Sequence, residues 1–104
     1  MTAVGTLERM HDHTVGTMLR EWRQRRHLSQ LDLALEAGIS TRHLSFVETG
    51  RSRPSAEMVL HLAERLEVPL RERNELLLAA GFAPQYSARD FDDPALDGVQ
   101  RARR

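Results

Sequence analysis

Arginine is the residue whose placement says most about the chemistry open to this chain. Its 104 residues carry 15 basic and 15 acidic side chains, a formal net charge of zero, and every basic residue other than histidine is arginine. The distribution is uneven. Residues 20 to 53 hold seven arginines against four acids, a net charge of +3, whereas residues 54 to 100 hold four arginines against nine acids, a net charge of −5, ahead of a basic Arg101 to Arg104 end. A guanidinium presents a planar fork of donors that matches a phosphate or the O6/N7 edge of guanine. A basic front on an acidic body would orient a protein on a nucleic acid. A compositional bias of the genome accounts for the choice of arginine over lysine equally well.

Catalytic chemistry has no comparable support. The sequence holds no nucleophile-base-acid set, no glycine-rich phosphate loop and no metal-ligand spacing. His11 and His13, with no cysteine and no third placed ligand, do not make a coordination shell. The expectation is therefore no catalytic residue, no metal and no cofactor. The absence of cysteine excludes a disulfide framework and fits a reducing compartment. The longest apolar run, Leu76 to Ala80, is too short to cross a bilayer. The first residues, with Glu8 and Asp12, lack the basic start and apolar core of a signal peptide. These features predict a soluble cytoplasmic protein with no membrane partner.

The elements that must position the arginines are read from apolar spacing. Leu28 to Pro54, LSQLDLALEAGISTRHLSFVETGRSRP, reads as two short helices joined by a glycine turn, the pattern of a helix-turn-helix. Leu33, Ala34, Ala37, Ile39, Leu44 and Val47 supply its apolar side, and Gly38 its turn. Ser29 and Asp32 form a capping-box start for one helix, and Ser40 is the natural N-cap of the next. With Leu44 and Val47 inward, Thr41, Arg42, Ser45, Phe46 and Thr49 are left on the outer face. An N-terminal turn with Thr41 and Arg42 is the part of a recognition helix that reaches base edges in the major groove: Arg42 can pair with guanine O6 and N7, while Thr41 and Ser45 can bond either bases or phosphates. Two readings stand for Phe46: contact with a thymine methyl, or packing beneath the following loop. Gln30 falls in the first turn of its helix, where an exposed amide can hold a phosphate oxygen. Arg51 and Arg53, in the short loop after Gly50, are placed for backbone phosphates, and Thr49 at the edge of that loop is grouped with them.

Around this unit, Val15, Met18, Leu19 and Trp22 mark the apolar face of a first helix ending near His27. Arg23 lies one turn beyond Leu19 and points partly inward, so it requires a carboxylate. Glu48, on the inner side of the third helix, is the best available partner. Arg25, Arg26 and His27 close the first helix at the negative end of its dipole, a role compatible with contact to phosphate. Ser55 caps a fourth helix whose Met58, Val59, Leu62, Ala63 and Leu66 face the core, and Leu70 to Ala80 form a fifth with Leu70 and Leu77 inward and Leu76 undecided. Gly81 and Phe82 close it with a hydrophobic cap. Leu31 and Leu35 look outward, to pack on the N-terminal arm, the first helix or a partner. Leu78 and Phe82 serve either the core or a subunit interface. The predicted organisation is a flexible arm over residues 1–14, a DNA-binding domain over 15–82, and a tail or linker over 83–104.

The segments Leu28-Ser29-Gln30, Leu33-Ala34, Gly38-Ile39-Ser40, Leu44-Ser45, Glu48-Thr49-Gly50-Arg51 and Arg53-Pro54-Ser55 resemble the lambda repressor-like, or xenobiotic response element (XRE), family. The match runs from about Val15 to Leu70. The resemblance implies an all-α, compact five-helix domain whose third helix reads double-stranded DNA, an Arg23–Glu48 bridge between the first and third helices, and a phosphate-binding Gln30. It assigns base contact to Ser40, Thr41, Arg42 and Phe46, the last departing from the polar residue more common there. Val68 to Asn74, Ala79 to Pro84 and Asp92 to Leu96 are further similar to bacterial regulators in which this domain precedes a PAS-like, MmyB-type ligand-binding domain. The chain stops where that domain would begin. By this resemblance the 104 residues are part of a longer sensor, and a small-molecule effector acts only through the missing C-terminal domain.

Two functions compete. The first is a sequence-specific transcription regulator that binds an inverted repeat as a homodimer, with half-sites roughly 34 Å apart. The second is an antitoxin-type DNA-binding protein whose arm or tail also neutralises a partner protein.

Overall fold

A computed structural model describes residues 14–87. The expected arm with His11 and His13, the Asp90 to Asp93 cluster and the basic end lie outside the described residues. Five helices follow in order, α1 (Val15–Arg25), α2 (Gln30–Ala37), α3 (Thr41–Thr49), α4 (Ala56–Arg65) and α5 (Leu70–Ala79), and the described residues contain no strand. The fold is the all-α, lambda repressor-like five-helix domain anticipated from the sequence.

The helix boundaries are set by local chemistry. Thr14, Ser29, Ser40 and Ser55 cap α1 to α4, each side chain accepting a hydrogen bond from the backbone N–H three residues on. Ser29 and Asp32 complete the reciprocal capping box, with Asp32 N donating to Ser29 Oγ at 3.0 Å and Ser29 N to Asp32 Oδ2 at 3.3 Å. Past each helix the chain turns left-handed, at His27, Gly38, Gly50, Glu67 and Gly81. The next N–H then closes back on a carbonyl five residues earlier: Leu28 on Arg23, Ile39 on Ala34, Arg51 on Phe46, Val68 on Ala63 and Phe82 on Leu77. This is the Schellman closure, which satisfies carbonyls that the helix itself leaves open. At Gly38, the turn of the helix-turn-helix, a φ of 72° suits a residue without a Cβ.

α1 packs on α3 and α5, α2 on α3 and α4, and α4 on α5. Leu19, Leu33, Leu44, Leu62, Leu66, Leu76 and Leu77 are fully buried at the centre, together with Val47, Val59 and Val68. Each such side chain contributes about 1.5–3 kcal/mol through removal from water. α3 is thereby backed by two helices and fixed on its inner side. The approach of α1 to α3 is closest at Gly16, where a Cβ would lie 2.2 Å from the Val47 carbonyl oxygen and 2.7 Å from that of Glu48.

Leu76, undecided from the sequence, is inward with Leu70 and Leu77. Phe82 packs on the core, so of the two residues weighed for an interface only Leu78, 57% exposed, is free of it. Leu31 and Leu35 are outward at 56% and 71% exposure and do not pack into the bundle. Beyond residue 82 the chain is still held to the domain. Asn74 Nδ2 donates to the Tyr86 carbonyl at 2.6 Å, while its Oδ1 accepts from the backbone N–H groups of Gln85 and Tyr86, both at 3.0 Å.

Candidate nucleic-acid interface

The inner side of α3 is locked by charge. Arg23 donates from Nε to Glu48 Oε2 at 2.7 Å, from Nη2 to Glu48 Oε1 at 3.1 Å, and from Nη1 to the Leu28 carbonyl at 2.8 Å. The two side chains are 11% and 2% exposed. Gln30 Nε2 adds a bond to Glu48 Oε1 at 3.0 Å, so α1, α2 and α3 meet at one carboxylate. Desolvation offsets much of what such a pair contributes, but removing either partner strands a buried charge. Its main effect is to fix one register among the three helices.

The outer side is open. Thr41 and Arg42 are exposed in the first turn of α3, Ser45 and Phe46 are half-buried, and Arg51 and Arg53 are exposed in the loop beyond. Ser40 Oγ accepts from His43 N at 2.9 Å, which leaves its hydroxyl proton free to donate. The Thr49 hydroxyl donates back to the Ser45 carbonyl at 2.9 Å and must rotate away from its own helix before it can donate to a ligand. The guanidinium carbons of Arg42 and Arg51 lie 5.5 Å and 5.6 Å from the centroid of the Phe46 ring. The Phe46 carbonyl accepts from Arg51 N at 2.8 Å and Ser52 N at 3.1 Å, which ties the basic loop to the helix. Ion pairs such as Arg23–Glu48 and Arg65–Glu64 engage other arginines, and among the described residues no carboxylate pairs with Arg42, Arg51 or Arg53.

The structure thus brings Arg42, Phe46 and Arg51 into one cluster and ties Gln30 to the ion pair behind it. Arg26 is otherwise engaged. Its Nε and Nη2 donate to the Leu66 and Glu67 carbonyls at 2.8 Å each, and Arg73 Nε donates to the Val68 carbonyl at 2.7 Å. The arginine that follows α1 and one from α5 therefore cover the negative end of the α4 dipole. Arg25 lies 4.3 Å from the centroid of the Trp22 ring. Sequence reasoning missed Gly16, Arg73, Asn74 and His61, whose Nε2 is 2.8 Å from the Ala37 carbonyl. The first two had a spacing signal: Gly16, Leu19 and Arg23 fall at i, i+3 and i+7, as do Leu70, Arg73 and Leu77. Asn74 and His61 bond to backbone distant in sequence and had none.

Residues 19–73, just over half of the chain, match the family model described as helix-turn-helix. The chain belongs to this helix-turn-helix family of DNA-binding transcription regulators. An uncharacterized HTH-type transcriptional regulator of Mycobacterium tuberculosis, present in strains CDC 1551 and H37Rv, is 38% identical over 53 residues, covering 51% of this chain and 38% of that protein. The HTH-type transcriptional regulator DdrOP3 of Deinococcus deserti is 39% identical over 83 residues, covering 75% of this chain and 64% of its own length. The chain therefore spans between about two fifths and two thirds of these relatives. No solved structure matches it. Among the described residues no helix is long and apolar enough to cross a membrane, and no three acidic or histidine side chains are grouped to hold a metal ion.

Proposed function

We propose that the protein is a sequence-specific transcription regulator that enters the major groove with the Ser40 to Thr49 segment and acts as a homodimer on an inverted repeat in the cytoplasm. The observation that carries this reading is the exposed Arg42 on α3 and Arg51 in the loop beyond it, neither paired with a carboxylate among the described residues, while the opposite side of the helix is fixed by a buried ion pair. A reading head must be rigid toward its scaffold and unpaired toward its ligand. In this reading Thr41 and Arg42 contact base edges, with Ser40 and Ser45 adding hydroxyl contacts, while Gln30, Arg51 and Arg53 hold phosphates. Thr49 joins the phosphate set only after its hydroxyl leaves the Ser45 carbonyl.

Selection of bound sequences from random DNA tests the proposal. A two-fold symmetric motif with half-sites one helical turn or a multiple apart is the expected result. Arg42→Ala should relax the preference at one base pair in each half-site, whereas Arg53→Ala should weaken all DNA alike and reduce the salt dependence by about one phosphate contact. Binding no tighter than the non-specific range of about 10⁻⁴ to 10⁻⁶ M at physiological salt would overturn it.

A further inference from the structure

We propose that Phe46 is a positioning residue that holds the base-reading Arg42 and the phosphate-side Arg51 on one aromatic platform, in place of reading a base itself; the inference rests on the DNA-reading function proposed above. Phe46 lies one helical turn beyond Arg42 and five residues before Arg51, and both guanidinium groups sit within 6 Å of its ring centroid, the range in which the ring quadrupole attracts a cation. Its surroundings mark it as something other than core. The ring is half-buried but belongs neither to the buried cluster nor to the partly buried side chains packed on that cluster, in contrast to Trp22 and Phe82.

Arg51 is held at both ends. Its backbone N–H donates to the Phe46 carbonyl at 2.8 Å while its guanidinium rests by the Phe46 ring. Arg42 approaches the same ring from the first turn of α3, so one side chain links the two parts of the reading surface. Two like charges gathered beside one apolar ring, with no carboxylate paired to either among the described residues, are poised to be relieved by an anion. Arginine side chains are rich in rotamers, and ordering them in advance removes part of the entropic cost of binding. A thymine methyl against a ring face that carries a guanidinium would have to displace it. This makes base contact by Phe46 and platform geometry alternatives that experiment can separate.

Selection from random DNA, with affinities at several salt concentrations, should be carried out on the full chain and on Phe46→Leu, Phe46→Tyr, Arg42→Ala and the Arg42→Ala/Phe46→Leu double variant. Phe46→Leu is expected to weaken specific binding about threefold per displaced arginine and to relax preference at the same base pair as Arg42→Ala. Phe46→Tyr, which keeps the ring, is expected to retain both affinity and preference. In the double variant the two effects should be less than additive. Unchanged preference in Phe46→Leu, strictly additive effects, or loss of a thymine preference at a base pair that Arg42→Ala leaves intact would each overturn the proposal. A wild-type chain that selects no sequence overturns the DNA-reading function and this inference with it. The NMR Nε–Hε resonances of Arg42 and Arg51 test the platform without any variant: ring-current shifts are expected in the free protein, and unshifted signals refute it.

Discussion

The two faces of α3 use the same side chain in opposite ways. On the inner face Arg23 reaches in from α1 and spends its guanidinium on Glu48 and the Leu28 carbonyl. On the outer face Arg42, and Arg51 in the loop beyond, lie beside the Phe46 ring and pair with no carboxylate among the described residues. Burial explains the difference. A guanidinium removed from water must satisfy its donors within the protein, so it becomes scaffold, whereas one left in water costs nothing to keep available for a ligand. Helix geometry places both functions a few residues apart, because positions one turn along share a face and the intervening ones do not.

That division predicts unequal responses to substitution. The largest effect should come from Glu48→Ala, which leaves the Arg23 guanidinium buried without its carboxylate. A loss of about 3–5 kcal/mol in stability is expected from urea denaturation. Replacing both members with leucine should recover most of it, since the cost lies in the unpaired charge; a double variant as unstable as Glu48→Ala would break the argument. Gly16→Ala comes next. Its methyl group would meet backbone oxygen that cannot rotate away, so α1 must move off α3, at an expected cost of about 1–3 kcal/mol. A melting temperature equal to wild type would show that the α1–α3 contact yields easily.

Ser40→Ala lies between the faces. It removes the cap from His43 N and should cost about 1 kcal/mol, while weakening DNA binding through a frayed first turn of α3. Smallest of all should be Arg42→Ala and Arg51→Ala, each within about 0.5 kcal/mol of wild type in stability although each impairs DNA binding. A larger loss of folding stability from either would mean that the outer arginines are also scaffold, and the contrast between the faces would fail.

Much of this arrangement is legible in the sequence. Ser29, Ser40 and Ser55 announce their helices because a cap is a contact over three residues. Gly38, Gly50 and Gly81 announce the ends of theirs, but His27 and Glu67 make the same left-handed turn without a glycine to mark it. Arg23 and Glu48 could be paired in advance because each falls on an otherwise apolar face, which leaves each other as the available partner. The same logic applied to Arg73, on a stripe with Leu70 and Leu77, would have placed it inward as well, where it is 6% exposed. Gly16 went unread because a glycine near a helix start resembles a weak helix position until the neighbouring helix is in place. For Phe46 the sequence left two roles open. The structure sets the ring beside Arg51 of the following loop, in keeping with the second, and adds the Arg42 guanidinium, which neither role contained.

By itself the sequence determined the helices, their caps, the core-facing leucines, the basic segment from residue 20 to 53 and the inward pair Arg23 and Glu48. Each of these follows from periodicity or from contacts over a few residues, and such interactions act on the chain whatever lies across from them. Only the tertiary structure decided that α1 meets α3 at Gly16, that Arg26 and Arg73 close the end of α4, that Asn74 holds Gln85 and Tyr86, and that Arg42 and Arg51 gather at Phe46. These contacts join residues from different turns, loops and helices, and most bond to backbone carbonyls or N–H groups. Every residue carries such groups, so the sequence does not mark which of them will be met.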